Sequence, residues 1–217
     1  MHSLQVLLST LNIGNSLMKF KFLAILVATT AISAGAQAGA IFQDNFDSEG
    51  AAGVSALNYT GFANWSVLNG TVDLVADPNT WGIDCVDGTG KCVDLDGSSG
   101  NAGTLNSNAF TLAAGTYSLI FDISGNQRGG SADSMVVTLG GFLNETFALS
   151  ASDPWETVIR SFTVMQTTSD FISFNHNGGD NVGIMLDNVS VVPEPGTLAL
   201  LGLGLAGLGA ARRRQKA

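Results

Sequence analysis

Gly115–Ser124 reads GTYSLIFDIS. Apolar side chains fall at Tyr117, Leu119, Phe121 and Ile123. Polar ones alternate with them, Ile120 excepted. A period of two puts the apolar four on one face of a strand and Ser118, Asp122 and Ser124 on the other. A helix would need apolar repeats at three and four residues, and no ten-residue stretch between 39 and 192 carries that stripe. Working outward, TVIRSFTV at 157–164 repeats the strand pattern with Val158, Phe162 and Val164, with Arg160 interrupting it. Further strand candidates are 71–75, 134–139, 171–175 and 183–191. Clusters of Gly, Ser, Thr, Asn and Asp separate them, as in the loops at 126–131 and 177–181. Short strands divided by turn residues predict an all-β sandwich or barrel. The expected body is therefore a single all-β sandwich domain over 39–191, with helix only in the two terminal segments.

Those segments differ from the body in charge. The chain has 217 residues and a formal net charge of -9. Every acidic residue lies between Asp44 and Glu194, where the only basic residues are Lys91, Arg128 and Arg160. Three basic against 18 acidic residues leave that span at -15. A surface of this sign cannot neutralise phosphates, which excludes nucleic acid as a partner. The mean hydropathy is nonetheless +0.28, because both ends are apolar and basic. At the N-terminal end, Lys19 and Lys21 precede an apolar run at 22–32, and the small residues after it finish in Ala36-Gln37-Ala38. That order is a secretory signal, expected over 18–38 with Met18 as the start, Met1 to Leu17 as an over-extended start, and cleavage after Ala38. Sec machinery and signal peptidase are the implied partners. The run is too short to span a bilayer, whose hydrocarbon core is ~30 Å thick.

Export places the two cysteines, Cys85 and Cys92 in CVDGTGKC, in an oxidising compartment. A disulfide closing this loop is the preferred reading. It would stabilise the body by about 2–3 kcal/mol on the chain-entropy account. A zinc pair is the rival, but two sulfurs alone do not make a tetrahedral site.

No catalytic constellation stands out. His176 is the one histidine of the mature region. Gly-x-Ser-x-Gly is absent, as is any phosphate-cradling loop followed by a helix. Carboxylate pairs are too abundant for one to be singled out. The chain reads as non-catalytic. Two binding readings arise instead. Asp44, Asn45 and Asp47 open the body, and Asp187 and Asn188 close it. If the first and last strands are neighbours, these oxygens converge on a calcium ion; solvated loop carboxylates are the alternative. Trp81, in the polar loop DPNTWGIDC, is the candidate for stacking on a sugar ring, whereas Trp65 and Trp155 each open a strand and fit core or edge packing. The sequons at Asn58, Asn64, Asn69, Asn144 and Asn188 are expected by chance in a domain this rich in Asn, Ser and Thr.

The tail, VPEPGTLALLGLGLAGLGAARRRQKA at 192–217, has three parts: Pro193-Glu194-Pro195, an uncharged Leu/Gly/Ala run at 197–211, and Arg212, Arg213 and Arg214. It resembles the PEP-CTERM sorting signal of Gram-negative bacteria. The resemblance implies that Pro193, Glu194 and Pro195 form the recognition motif for exosortase, a membrane cysteine transpeptidase. It implies also that the apolar run holds the tail transiently in the inner membrane, with the arginines cytoplasmic, as the positive-inside rule requires. The tail would then be removed, leaving the body at the cell surface or in extracellular polysaccharide. A permanent anchor is the competing reading; the run is near the lower length limit for a span, and its glycines permit close helix packing. The stretches CVDLDGSSGNAGTLNSNAFTLAAGTYSLIFDISGN and VGIMLDNVSV look like galactose-binding-like jelly rolls, a resemblance that places NFD at Asn45 and LDN at Asp187 near a structural calcium. The reading that results is an exported, exosortase-sorted protein of the envelope or exopolysaccharide that binds carbohydrate. A structural matrix or biofilm protein without a small ligand is the alternative, and an extracytoplasmic hydrolase built on His176 a more distant one.

Overall fold

The computed structural model describes residues 39–196, together with Gly204 and Arg212. The expected signal peptide at 18–38 and nearly all of the apolar run and basic end lie outside the described residues. Among the described residues no helix is long and apolar enough to cross a membrane.

The chain from Ala38 to Glu194 is a two-sheet sandwich. Its strands in order are β1 Phe42–Asp44, β2 Trp65–Leu68, β3 Asp73–Asp77, β4 Gly90–Asp94, β5 Thr104–Ser107, β6 Phe110–Leu112, β7 Gly115–Ser124, β8 Asp133–Leu139, β9 Leu143–Leu149, β10 Glu156–Val164, β11 Thr168–Asp170, β12 Ile172–Asn177 and β13 Met185–Pro193. One sheet runs β10-β7-β13-β4-β3, with β1 also paired to β13; the other runs β2-β5-β12-β8-β9. β6 and β11 form a separate two-stranded ribbon.

β7 occupies the residues its alternation predicts, and its apolar face packs inward. Leu119, Phe121 and Ile123 are fully buried and Tyr117 nearly so. Phe121 meets Phe174 of β12 edge to face at 5.3 Å and Phe147 of β9 at 5.6 Å. Phe174 in turn faces Trp65 of β2 at 5.9 Å. The two Phe121 contacts join the sheets, and such aromatic pairs stabilise beyond their buried area. Arg160 does not interrupt the core as its place in the pattern suggests. β10 is the edge of one sheet and β9 the edge of the other, and Arg160 bridges them. Its guanidinium grips Glu145 through two bonds of 2.6 and 2.5 Å and lies over Phe147.

β13 is the central strand of its sheet. β7 lines one side of it, and β4 and then β1 share the other. The register with β7 shifts between Asp187 and Ser190, where Asn188 takes a positive φ of 49°. This β-bulge takes Asn188 out of the regular ladder, while Leu186 and Asp187 stay paired with Ile123 and Asp122. β13 also runs two residues past the expected end at Val191, into Pro193.

Cys85 and Cys92 are disulfide-bonded. The bond sits in a small satellite core with Val75, Ile83 and Met185, against which Trp155 packs. Replacing both cysteines by serine is expected to lower stability by about 2 kcal/mol, from loop entropy alone. Equal denaturation midpoints for the two proteins would refute this.

Candidate functional site

Three loops enclose an open cleft of about 670 Å³. They are the β3–β4 loop with Asp84, the β7–β8 loop with Gln127, and the β9–β10 loop with Ser152, Asp153 and Trp155. The loops approach closely at Gly125, where a Cβ would lie 2.0 Å from the Ser150 carbonyl oxygen. Backbone bonds from Gly125 N–H to Asp153 O and from Gln127 N–H to Ala151 O keep them together. The Gln127 amide spans to the other wall, accepting from Asp84 N–H and donating to Asp84 O, both at 2.9 Å. Trp155 is half-buried. One part of its ring lies on the satellite core, and its indole N–H donates to Asp84 O at 2.8 Å. The cleft therefore offers a fixed aromatic wall beside the exposed Asp84 carboxylate and Ser152 hydroxyl, with the Gln127 amide holding the walls together.

A hub of buried carboxylates stands behind these loops. Asp94 Oδ1 accepts from the N–H groups of Asp96 and Gly183, and its Oδ2 takes the Arg128 guanidinium. Burial pushes Asp94 up to about 8, against the pull of Arg128 and of the two backbone donors. Asp96 Oδ2 accepts from three consecutive N–H groups, Gly179, Asp180 and Asn181. The loops after β4, β7 and β12 are thereby tied together, and the β7–β8 loop that lines the cleft is one of them.

His176 is 5% exposed, and its Nε2 accepts from Ile184 N–H at 3.1 Å. The proton of the neutral ring must then sit on Nδ1. Burial lowers its pKa despite the carboxylates of Asp133, Asp96 and Asp180. Among the described residues, no hydroxyl or thiol is hydrogen-bonded to it.

The residues read as calcium ligands are placed as follows. Asp44 accepts from Phe46 N–H with one oxygen, and from Asn64 and the Trp65 indole with the other. Asp47 accepts from Lys91 N–H and the Asn45 amide. The Lys91 ammonium, itself buried, donates to the carbonyls of Asp47 and Glu49. Asp187 accepts from Asn188 N–H, and burial pushes it up to about 7, with Asp47 and Asp122 adding to the rise. The first three side chains are thus engaged, and a lysine holds the carbonyls that a cation would use. Among the described residues no three metal-ligating side chains form a group that could hold a metal ion. The donor set does not fit calcium as it stands.

Trp81 is 39% exposed but is not part of the cleft wall. The aromatic residue that does line it is Trp155. Its sequence context, the start of a strand, signals packing, and only the loop geometry reveals its second exposure. Trp65 is core, at 4% exposure, as its position predicts. In the tail, Pro193 ends β13, Glu194 is half-buried, and Pro195 is exposed. Arg212 is exposed; Arg213 and Arg214 lie outside the described residues.

Residues 191–214 match the PEP-CTERM protein-sorting motif. The chain thus carries that motif, which implies export to the cell envelope and processing by exosortase. No curated protein sequence matches the chain. Several solved structures are similar to its body. TmCBM61, solved with β-1,4-galactotriose, has 16% identity and a TM-score of 0.46, over 61% of this chain and 90% of that one. The K1 cleaved adhesin domain of Lys-gingipain from Porphyromonas gingivalis has 16% identity and a TM-score of 0.48, over 72% and 99%. A family 35 carbohydrate-binding module from Clostridium thermocellum has 13% identity and a TM-score of 0.42, over 70% and 98%.

Proposed function

We propose that this is a non-catalytic exported protein that binds extracellular carbohydrate through the cleft at Trp155. Its strand order, with neighbours drawn from distant parts of the chain, is consistent with jelly-roll winding. On this reading Sec machinery and signal peptidase deliver the body. The apolar tail holds it in the inner membrane until exosortase acts, and the body is then left at the surface or in the exopolysaccharide. The observation that carries the binding part is the cleft itself. A rigid indole beside Asp84, Gln127 and Ser152 suits a sugar, whose ring has apolar C–H faces and a polar hydroxyl edge. A structural matrix protein without a small ligand is the alternative.

Retention on the host's own exopolysaccharide in affinity electrophoresis tests the reading. Trp155→Ala is expected to weaken it about tenfold, since buried aromatic anchors commonly carry more than ~1 kcal/mol. Trp155 also packs on the satellite core, so Asp84→Ala, which removes only an exposed carboxylate, serves as the second variant. Unretarded migration of the wild-type protein would leave the matrix reading in its place.

A further inference from the structure

The sorting motif is not free chain. Val192 and Pro193 still lie opposite Ser118 and Tyr117 of β7. The Glu194 N–H donates to the Thr116 carbonyl at 2.9 Å. Its Oε1 accepts from the Ser118 hydroxyl at 3.0 Å and from the Ser161 hydroxyl at 2.7 Å. Those two serines are directly paired across β7 and β10. Because side chains alternate across a strand, the same residues whose neighbours Tyr117 and Phe162 fill the core place two hydroxyls outward, side by side. They form a clasp whose acceptor is a carboxylate, and hydrogen bonds to an ionised acceptor are the stronger kind. The central residue of Pro-Glu-Pro thus has its backbone donor and its charge already committed. Among the described residues that follow Val192, Pro195 and Gly196 are exposed.

An enzyme that reads this motif must reach the Glu194 carboxylate and the extended backbone around it. We propose that the folded sandwich sequesters the sorting motif through the Ser118–Ser161 clasp, so that exosortase processing requires Pro193 and Glu194 to peel away from β7 first. The clasp exists only when β7, β10 and β13 are paired. An unfolded chain presents the motif freely and a folded chain withholds it, and processing of the folded protein follows the local opening of one strand end. Strand ends open at far lower free energy than the whole domain, so the clasp slows processing rather than blocking it. The inference rests on the reading of the tail as an exosortase substrate.

The test is a pulse-chase of the full-length chain in its native host, following conversion of precursor to mature protein. Ser118→Ala combined with Ser161→Ala is expected to convert about tenfold faster, the loss of two bonds to a charged group being enough for that shift. Insertion of Gly-Ser-Gly-Ser between Val192 and Pro193 frees the motif without altering β7 or β10. It is expected to accelerate conversion likewise, and it keeps the test valid if the serine variant folds poorly. Conversion of both variants at or below the wild-type rate overturns sequestration while leaving the sorting reading intact. A wild-type precursor that is never converted overturns both.

Discussion

Lys91→Met is expected to destabilise the body by about 1–3 kcal/mol, read as a lower midpoint of chemical denaturation. Lys91 sits on β4 beside the disulfide and is 3% exposed. Its ammonium donates to the carbonyls of Asp47 and Glu49, and its N–H to the Asp47 carboxylate. The β1–β2 turn is in effect folded around this one cation. Methionine keeps the length of the side chain and removes the donor. The carbonyl of buried Glu49 then loses its partner, at about 1–3 kcal/mol for a buried group left unsatisfied, while that of exposed Asp47 can turn to water. Relief of the cost of burying the ammonium offsets part of that. The net sign therefore depends on the carbonyl outweighing the charge, and an unchanged or raised midpoint would show that it does not. The same corner decides the calcium question. With Lys91 in place, a chelator is expected to leave the melting temperature unchanged, because a ligand that binds only the folded state must shift it. A fall on chelation would mean that Asp47 and Asp187 hold an ion.

How legible these features were in the sequence follows from what each depends on. β7 and β10 are long and alternate cleanly, so period alone locates them; β7 is found to the residue. The short strands β1, β2, β5, β6 and β11 have three or four residues each, too few for a period to show. β4 is nearly buried throughout and has no alternation to read. β9 exposes Asn144 and Thr146 at the sheet edge and carries Glu145 on its other face, which resembles loop composition. The cleft was not legible at all. Its walls come from three loops brought together by sheet topology, and Trp155 is set into it by a backbone carbonyl some 71 residues away. The disulfide was legible because it is local. The clasp on Glu194 was not, because Ser118 and Ser161 look like ordinary outward strand positions until β7, β10 and β13 are placed side by side.

The second large effect concerns pH. The melting temperature is expected to be higher at pH 6 than at pH 8.5, by roughly 5–10 °C. Asp94 and Asp187 have their folded values pushed up to about 8 and about 7 by burial. In the unfolded chain both titrate near the ordinary ~3.9 of an aspartate. Between those limits the folded protein holds protons that the unfolded chain releases, so stability falls as pH rises through the window. His176 acts in the opposite sense. Burial lowers its folded value, so its contribution is present above ~6.5 and fades as pH drops. Two aspartates outweigh one histidine, so stability falls with rising pH throughout the range above ~4 and is already falling at pH 6. From there to pH 8.5 the two aspartates together remove about 2–4 kcal/mol, each kcal/mol being worth about 2–4 °C in a domain of this size. Asp94→Asn keeps an acceptor for the N–H groups of Asp96 and Gly183 and removes the charge, so it is expected to flatten the alkaline slope. Arg128→Met is expected to steepen it near pH 8, because without the guanidinium the folded Asp94 holds its proton to still higher pH, and to leave a nearly wild-type protein at pH 5. Arg128 lies between Gln127 and Gly129, both in the cleft wall, so loss of the pair should loosen that loop before the core unfolds. Carbohydrate retention by Arg128→Met is then expected to fall between pH 6 and 8.5 at temperatures where the body is still folded. A melting temperature that rises from pH 6 to 8.5 in the wild-type protein would remove the premise.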